Sequence, residues 1–177
     1  MRLRSDDGFG LVELIVSMML LNIGLLAIVA AFQSGVLTIQ RAADTSTAAV
    51  LADKQMELYR ALKYTEIALD ATAVAAANTV ESYQCDPANK IDPAGACGGG
   101  NQPPAVTTTC ATATPQCTPR QAVPGPDRRQ YHVDTFIVEH TPAGGRTVKL
   151  VTVVVRRNGE AAALARVAST FDESSGL

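Results

Sequence analysis

Between Phe9 and Gln40 the chain carries one charged side chain, Glu13, in a run (GLVELIVSMMLLNIGLLAIVAAF at its start) that is otherwise almost wholly apolar. About 20 apolar residues cross the hydrocarbon core of a bilayer, so residues 9–39 read as a membrane-spanning helix. A carboxylate near the start of such a helix is costly, and whatever offsets that cost constrains the rest of the chain. A secretory signal peptide with Val29-Ala30-Ala31 as its cleavage site fits poorly. The run is too long for it, and Glu13 stands where the apolar core should already have begun. A plain single-span anchor accounts for the length and leaves Glu13 unexplained. The preceding residues, 1–8, form a short polar head in which Arg2 and Arg4 face Asp6 and Asp7.

After Ile39 the hydropathy fades and a helical period persists. Ala43, Thr47, Val50, Leu51, Lys54, Leu58, Ala61 and Leu62 recur at three- and four-residue steps, with Asp44, Asp53, Glu57 and Arg60 on other faces. No proline precedes Pro87, so one helix is expected from Phe9 to about Leu62, with Asn22 and Gly24 its weakest positions. At 1.5 Å per residue such a helix is roughly 75 Å long, and its first half must find partners outside its own globular part. Residues 66–83 predict a short helix or an irregular packing segment.

All four cysteines, Cys85, Cys97, Cys110 and Cys117, and eight of the nine prolines fall between Gln84 and Asp127, together with Gly98-Gly99-Gly100. No CxxC pair occurs, so a structural zinc site is a poor fit. An even number of cysteines beyond a membrane span reads as disulfides in an oxidising compartment. Three pairings are open. The segment 84–130 is therefore expected to be a long loop stapled onto the domain. Beyond it, residues 131–139 and 147–156 are rich in β-branched and aromatic side chains around the turn Thr141–Gly145, and Asn158-Gly159 leads into a third run at 163–171. A three-stranded antiparallel meander over 131–171 follows. In its middle strand Val148, Leu150 and Val154 point one way and Val151, Val153 and Val155 the other. Both faces are expected to be covered, one by the C-terminal half of the long helix and part of the other by the cysteine loop. The fold class is α+β, with one modest domain at 40–177, of which 40–64 continues the helix.

Gly8, Phe9 and Glu13, followed by the apolar run, resemble the class III signal of type IV pilins and of the pseudopilins of type II secretion. The resemblance implies a leader at residues 1–8, cut by a membrane peptidase between Gly8 and Phe9, N-methylation of the new Phe9 amine, and a role for Glu13 in filament assembly. It also implies a long helix on an antiparallel sheet, other pilin subunits and a membrane assembly platform as partners, no cofactor, no metal and no enzymatic activity. Before assembly the chain would sit in the cytoplasmic (inner) membrane as a single-pass protein, and afterwards in an extracellular filament. LLNIGLLAIVAAFQSG and the closing Ala-Ser-Thr-Phe are most similar to a minor pilin of the V type, with the minor pseudopilin of the I type close behind. Major pilins often carry a proline within the apolar helix that this chain lacks, and Asp6 and Asp7 are an acidic departure in the leader.

Other chemistry finds little footing. With a net charge of -2, no Trp and 5% aromatics, the chain has neither the basic excess nor the stacking platforms of a nucleic-acid binder. Arg128-Arg129 and Arg156-Arg157 read as solvated pairs. His132 and His140, near Asp134 and Glu139, read as exposed positions on an edge strand rather than a metal or acid–base cluster. Gly98–Gly100 lacks the context of a phosphate loop, and no serine or cysteine stands in a nucleophile motif.

Overall fold

A computed structural model describes residues 10–89, 97, 105–112 and 114–174. It falls into two units, residues 1–43 and 44–177. Helix α1, Leu11–Arg60, contributes to both. In the N-terminal unit it is unbroken at Asn22 and Gly24, and every described residue is exposed. The hydroxyls of Ser17 and Thr38 donate to the carbonyls of Glu13 and Ser34 (2.7 and 2.9 Å), and the Asn22 amide donates to the Met18 carbonyl at 2.9 Å. Such bonds to the preceding turn let polar side chains sit in an apolar helix.

In the C-terminal unit, α1 buries Asp44, Ala48, Ala52, Gln55, Met56 and Tyr59. This face is rotated from the expected one: Ala43 and Val50 are exposed, and Leu51 and Leu58 are only half-buried. The displacement has a physical source, because two polar residues belong to the buried stripe and find partners there. The Gln55 amide donates to the Pro115 carbonyl at 2.9 Å, the Tyr59 hydroxyl to the Gln116 carbonyl at 2.7 Å, and Asp44 meets arginines. The helix stops at Arg60, slightly before the expected end, and a 3-10 turn follows at Tyr64–Glu66. The buried Lys149 fixes this turn by donating to the carbonyls of Tyr64 and Ile67 at 2.8 and 3.0 Å.

The main sheet has four antiparallel strands in the order β3-β4-β5-β6: β3 Arg120–Pro124, β4 Gln130–His140, β5 Val148–Arg157 and β6 Ala163–Phe171. A three-stranded meander was expected, and the fourth strand comes from the tail of the expected loop 84–130. Proline at the end of β3 suits an edge strand, which has no second neighbour to bond. β1 (Leu69–Asp70) and β2 (Thr107–Thr108) make a separate short parallel pair. Gly159, with φ of 81°, closes the β5–β6 hairpin in a conformation that favours glycine.

Both faces of the sheet are covered. On one, Val133, Ile137, Val151, Val153 and Val155 pack with Ala48, Ala52, Met56 and Tyr59 of α1. On the other, Phe136 and Val154 lie with Ala77 and Tyr83. The cover here is α2 (Ala71–Ala77) and α3 (Glu81–Gln84), which precede the first cysteine, joined by Ala88 from the start of the cysteine loop. The Tyr83 and Phe136 rings stack with centroids 4.5 Å apart, and the Tyr83 hydroxyl donates to the Thr135 carbonyl at 3.0 Å. Asp70 caps α2 by accepting from the Ala73 amide at 2.9 Å and also accepts from the Cys110 amide at 3.1 Å. The disulfides join Cys85 to Cys97 and Cys110 to Cys117. Much of the segment they staple, 90–96 and 98–104, with the glycine run, lies outside the described residues.

Candidate assembly helix and ion-pair core

The apolar helix presents Leu11, Val12, Leu14, Ile15 and their successors to the outside, each about half exposed or more. It is long and apolar enough to cross a membrane. Glu13 sits in its first turn. Its backbone is engaged, the amide donating to the Gly10 carbonyl at 3.0 Å, while its carboxylate has no ion-pair or hydrogen-bond partner among the described residues. A carboxylate so placed in hydrocarbon needs a cation from outside its own helix. The expected source, the amine of Phe9, and the Gly8–Phe9 bond lie outside the described residues.

The domain holds a second concentration of charge that the sequence reading missed. Arg156, on β5, is buried and donates to Asp134 of β4 and to Asp86, just past the Cys85 disulfide. Asp86 also accepts from both terminal nitrogens of Arg166 on β6 (3.0 and 2.8 Å). Arg120 of β3 lies 3.8 Å from Asp134. Register explains the grouping. Arg120, Asp134, Val154 and Arg166 are paired across four strands in one row, and His132 and Arg156 are paired in the next. Burial opposes ionisation of Asp86, but hydrogen bonds from Arg166 and the Ala88 amide bring its carboxyl below the usual range. For Asp134 burial outweighs Arg120 and Arg156, and its carboxyl is pushed up.

Asp86, Arg120, Arg156 and Arg166 border an open cleft of about 720 Å³ between α3 and the β5–β6 hairpin. Its cations are largely spent on its own carboxylates. His132 Nε2 donates to Asn158 Oδ1 at 2.9 Å, and its buried Nδ1 has no partner among the described residues. β4 is an interior strand, so the expected edge-strand setting of His132 and His140 is wrong: His132 is half-buried, as is Glu139, while His140 is exposed as expected. Among the described residues no group of three or more His, Cys, Asp or Glu could hold a metal ion.

A third cluster fastens the first turn of α1 within the domain. The buried carboxylate of Asp44 accepts from Arg129 at 2.7 Å and from Arg157, which also meets Glu160 at 2.9 Å. Asp127 accepts from the Tyr131 hydroxyl at 2.7 Å, which holds its carboxyl below the usual range. Three of the four paired arginines are thus tied into ion pairs; Arg128 and Arg129 are exposed as expected, whereas Arg156 is buried and Arg157 half-buried, so the solvated pair expected at 156–157 is not found. The signal for this in the sequence was slight: Asp134 stands between Val133 and Thr135, and Arg156 follows directly on Val153–Val155, settings in which a charge demands a partner.

Residues 3–29 match the family model described as the prokaryotic N-terminal methylation motif. The matched stretch includes Gly8, Phe9 and Glu13. Comparison with curated proteins and with solved structures gives no match. The motif implies processing by the prepilin peptidase and assembly with other pilins, and with the apolar helix it is consistent with a single-pass membrane anchor.

Proposed function

We propose that this chain, type IV pilin-like in its N-terminal motif and in its helix-on-sheet fold, is a minor subunit of a type IV pilus, without enzymatic activity. The observation that carries the reading is the motif at residues 3–29 joined to an apolar helix whose one carboxylate has no partner of its own among the described residues. Cleavage between Gly8 and Phe9 creates a cationic amine, N-methylated on Phe9, at the start of the same helix. On a neighbouring subunit that amine meets Glu13, and each neutralises a charge that would be costly alone in a helix bundle. The leader is residues 1–8, the filament-core helix residues 9–39 and the displayed domain residues 40–177. The chain waits in the cytoplasmic membrane, is drawn up by the assembly platform and ends in an extracellular filament.

The test is incorporation. Glu13→Ala is expected to insert and be cleaved as the wild type is, and to be lost from sheared filaments. Incorporation at the wild-type level overturns the role of Glu13. Deleting the chain's gene separates a pilus from a type II secretion system: the pilus reading requires loss of surface pili or motility, and loss of protein export instead assigns the chain to the pseudopilins.

A further inference from the structure

We infer that Asn22 makes a second inter-subunit contact of the apolar helix, its side-chain amide hydrogen-bonding a hydroxyl or amide on the apolar helix of another filament subunit. This rests on the filament reading above. Asn22 lies eleven residues beyond Leu11, the start of α1, about 17 Å along the helix and so within a hydrocarbon core about 30 Å thick. Gln33, at about 33 Å by the same rise, is beyond that core and can meet water. The hydroxyls of Ser17 and Thr38 each spend their one donor on a carbonyl of their own helix. Asn22 does so with only one amide hydrogen, to the Met18 carbonyl. Its second hydrogen and its oxygen have no partner among the described residues, and lipid tails offer none.

The occupant follows from direction. Nine residues separate Asn22 from Glu13, a rotation of about 900°, so the two point to opposite sides of the helix. A subunit that brings its Phe9 amine to Glu13 approaches the side of the helix away from Asn22. A different neighbour's helix therefore covers Asn22. Its chemistry is that of an apolar helix carrying one small polar side chain, since interhelical bonds of this kind join membrane helices.

The test uses the full chain in cells that assemble filaments. Asn22→Leu makes the span more apolar, so insertion and leader cleavage are expected at the wild-type level, while the amount in sheared filaments falls about three- to twentyfold, the range of one interhelical hydrogen bond. Asn22→Gln restores incorporation to within about twofold. A photo-crosslinking residue at position 22 is expected to capture another filament subunit. Wild-type incorporation of Asn22→Leu, or crosslinks to lipid or platform protein alone, overturns the inference while Glu13 dependence leaves the filament reading standing. Should Asn22→Leu escape cleavage, the crosslink decides. Absence of the wild-type chain from filaments removes the filament reading itself.

Discussion

Replacing Arg156 by alanine tests the ion-pair core most severely. The guanidinium is 4% exposed, and the side chains of its partners Asp86 and Asp134 are 1% and 0% exposed. Its Nε also donates to the Ala161 carbonyl at 3.0 Å. Asp86 retains Arg166, but Asp134 keeps only the more distant Arg120. Breaking a buried pair by removing one partner costs about 3–5 kcal/mol, because the remaining charge is left in a poor solvent. Domains are stable by about 5–15 kcal/mol, so Arg156→Ala should leave the fold marginal. The assay is urea unfolding of the detergent-solubilised full chain, followed by circular dichroism.

The pH dependence has a definite sign. Without Arg156, Asp134 is buried with less compensation and its folded-state value rises further above the unfolded value of about 3.9. Such a group destabilises the folded form only once it must ionise, so the penalty is small near pH 4 and grows as pH rises through the folded value. The difference between wild type and variant should therefore be smaller at pH 4.5 than at pH 7.5, and Asp134→Asn should recover part of the loss in the Arg156→Ala background. A cost below about 1 kcal/mol at pH 7.5, or one that does not change with pH, refutes the reasoning.

Two further expectations concern the same domain. Each disulfide stabilises by closing a loop, so Cys110→Ser with Cys117→Ser and Cys85→Ser with Cys97→Ser should each cost about 2–3 kcal/mol, slightly more for the longer Cys85–Cys97 loop; thermal or urea midpoints under non-reducing conditions read this directly. Acid should weaken the domain. Asp70 is brought down to about 2 by the Thr72 hydroxyl and the Cys110 and Ala73 amides, and Asp86 and Asp127 are lowered too. Carboxylates with depressed values stabilise above their unfolded value and lose that contribution as pH falls through the folded one, so unfolding midpoints should drop from about pH 4 towards pH 2, less so in Asp70→Asn.

The elements legible in the sequence were those that depend on near neighbours. The apolar span with Glu13, the long helix, the strands of Tyr131–Glu139 and Val148–Arg156 and the Asn158-Gly159 turn are set by period, β-branching and turn chemistry. What escaped depends on distant partners. Asp44 and Gln55 are polar, and nothing local says that Arg129, Arg157 and the Pro115 carbonyl will receive them, so the buried face of α1 was placed one step round. Arg120–Pro124 is short and ends in proline, which hides a strand that pairs only on one side. Asp86 and Arg156 are 70 residues apart, and their pairing follows from the cover supplied by α3 and the Cys85 disulfide. The pairing of the cysteines is likewise a property of the folded chain, since spacing left three possibilities open.

The central claim is that the apolar helix starts at a new amine on Phe9 and enters a filament by that end. Mass spectrometry of the chain recovered from sheared surface filaments tests it most directly. The account predicts an N-terminal peptide beginning at Phe9 and carrying an N-methyl group, with residues 1–8 absent. A chain that keeps Met1–Gly8, or one found in the membrane fraction and never in filaments, contradicts it.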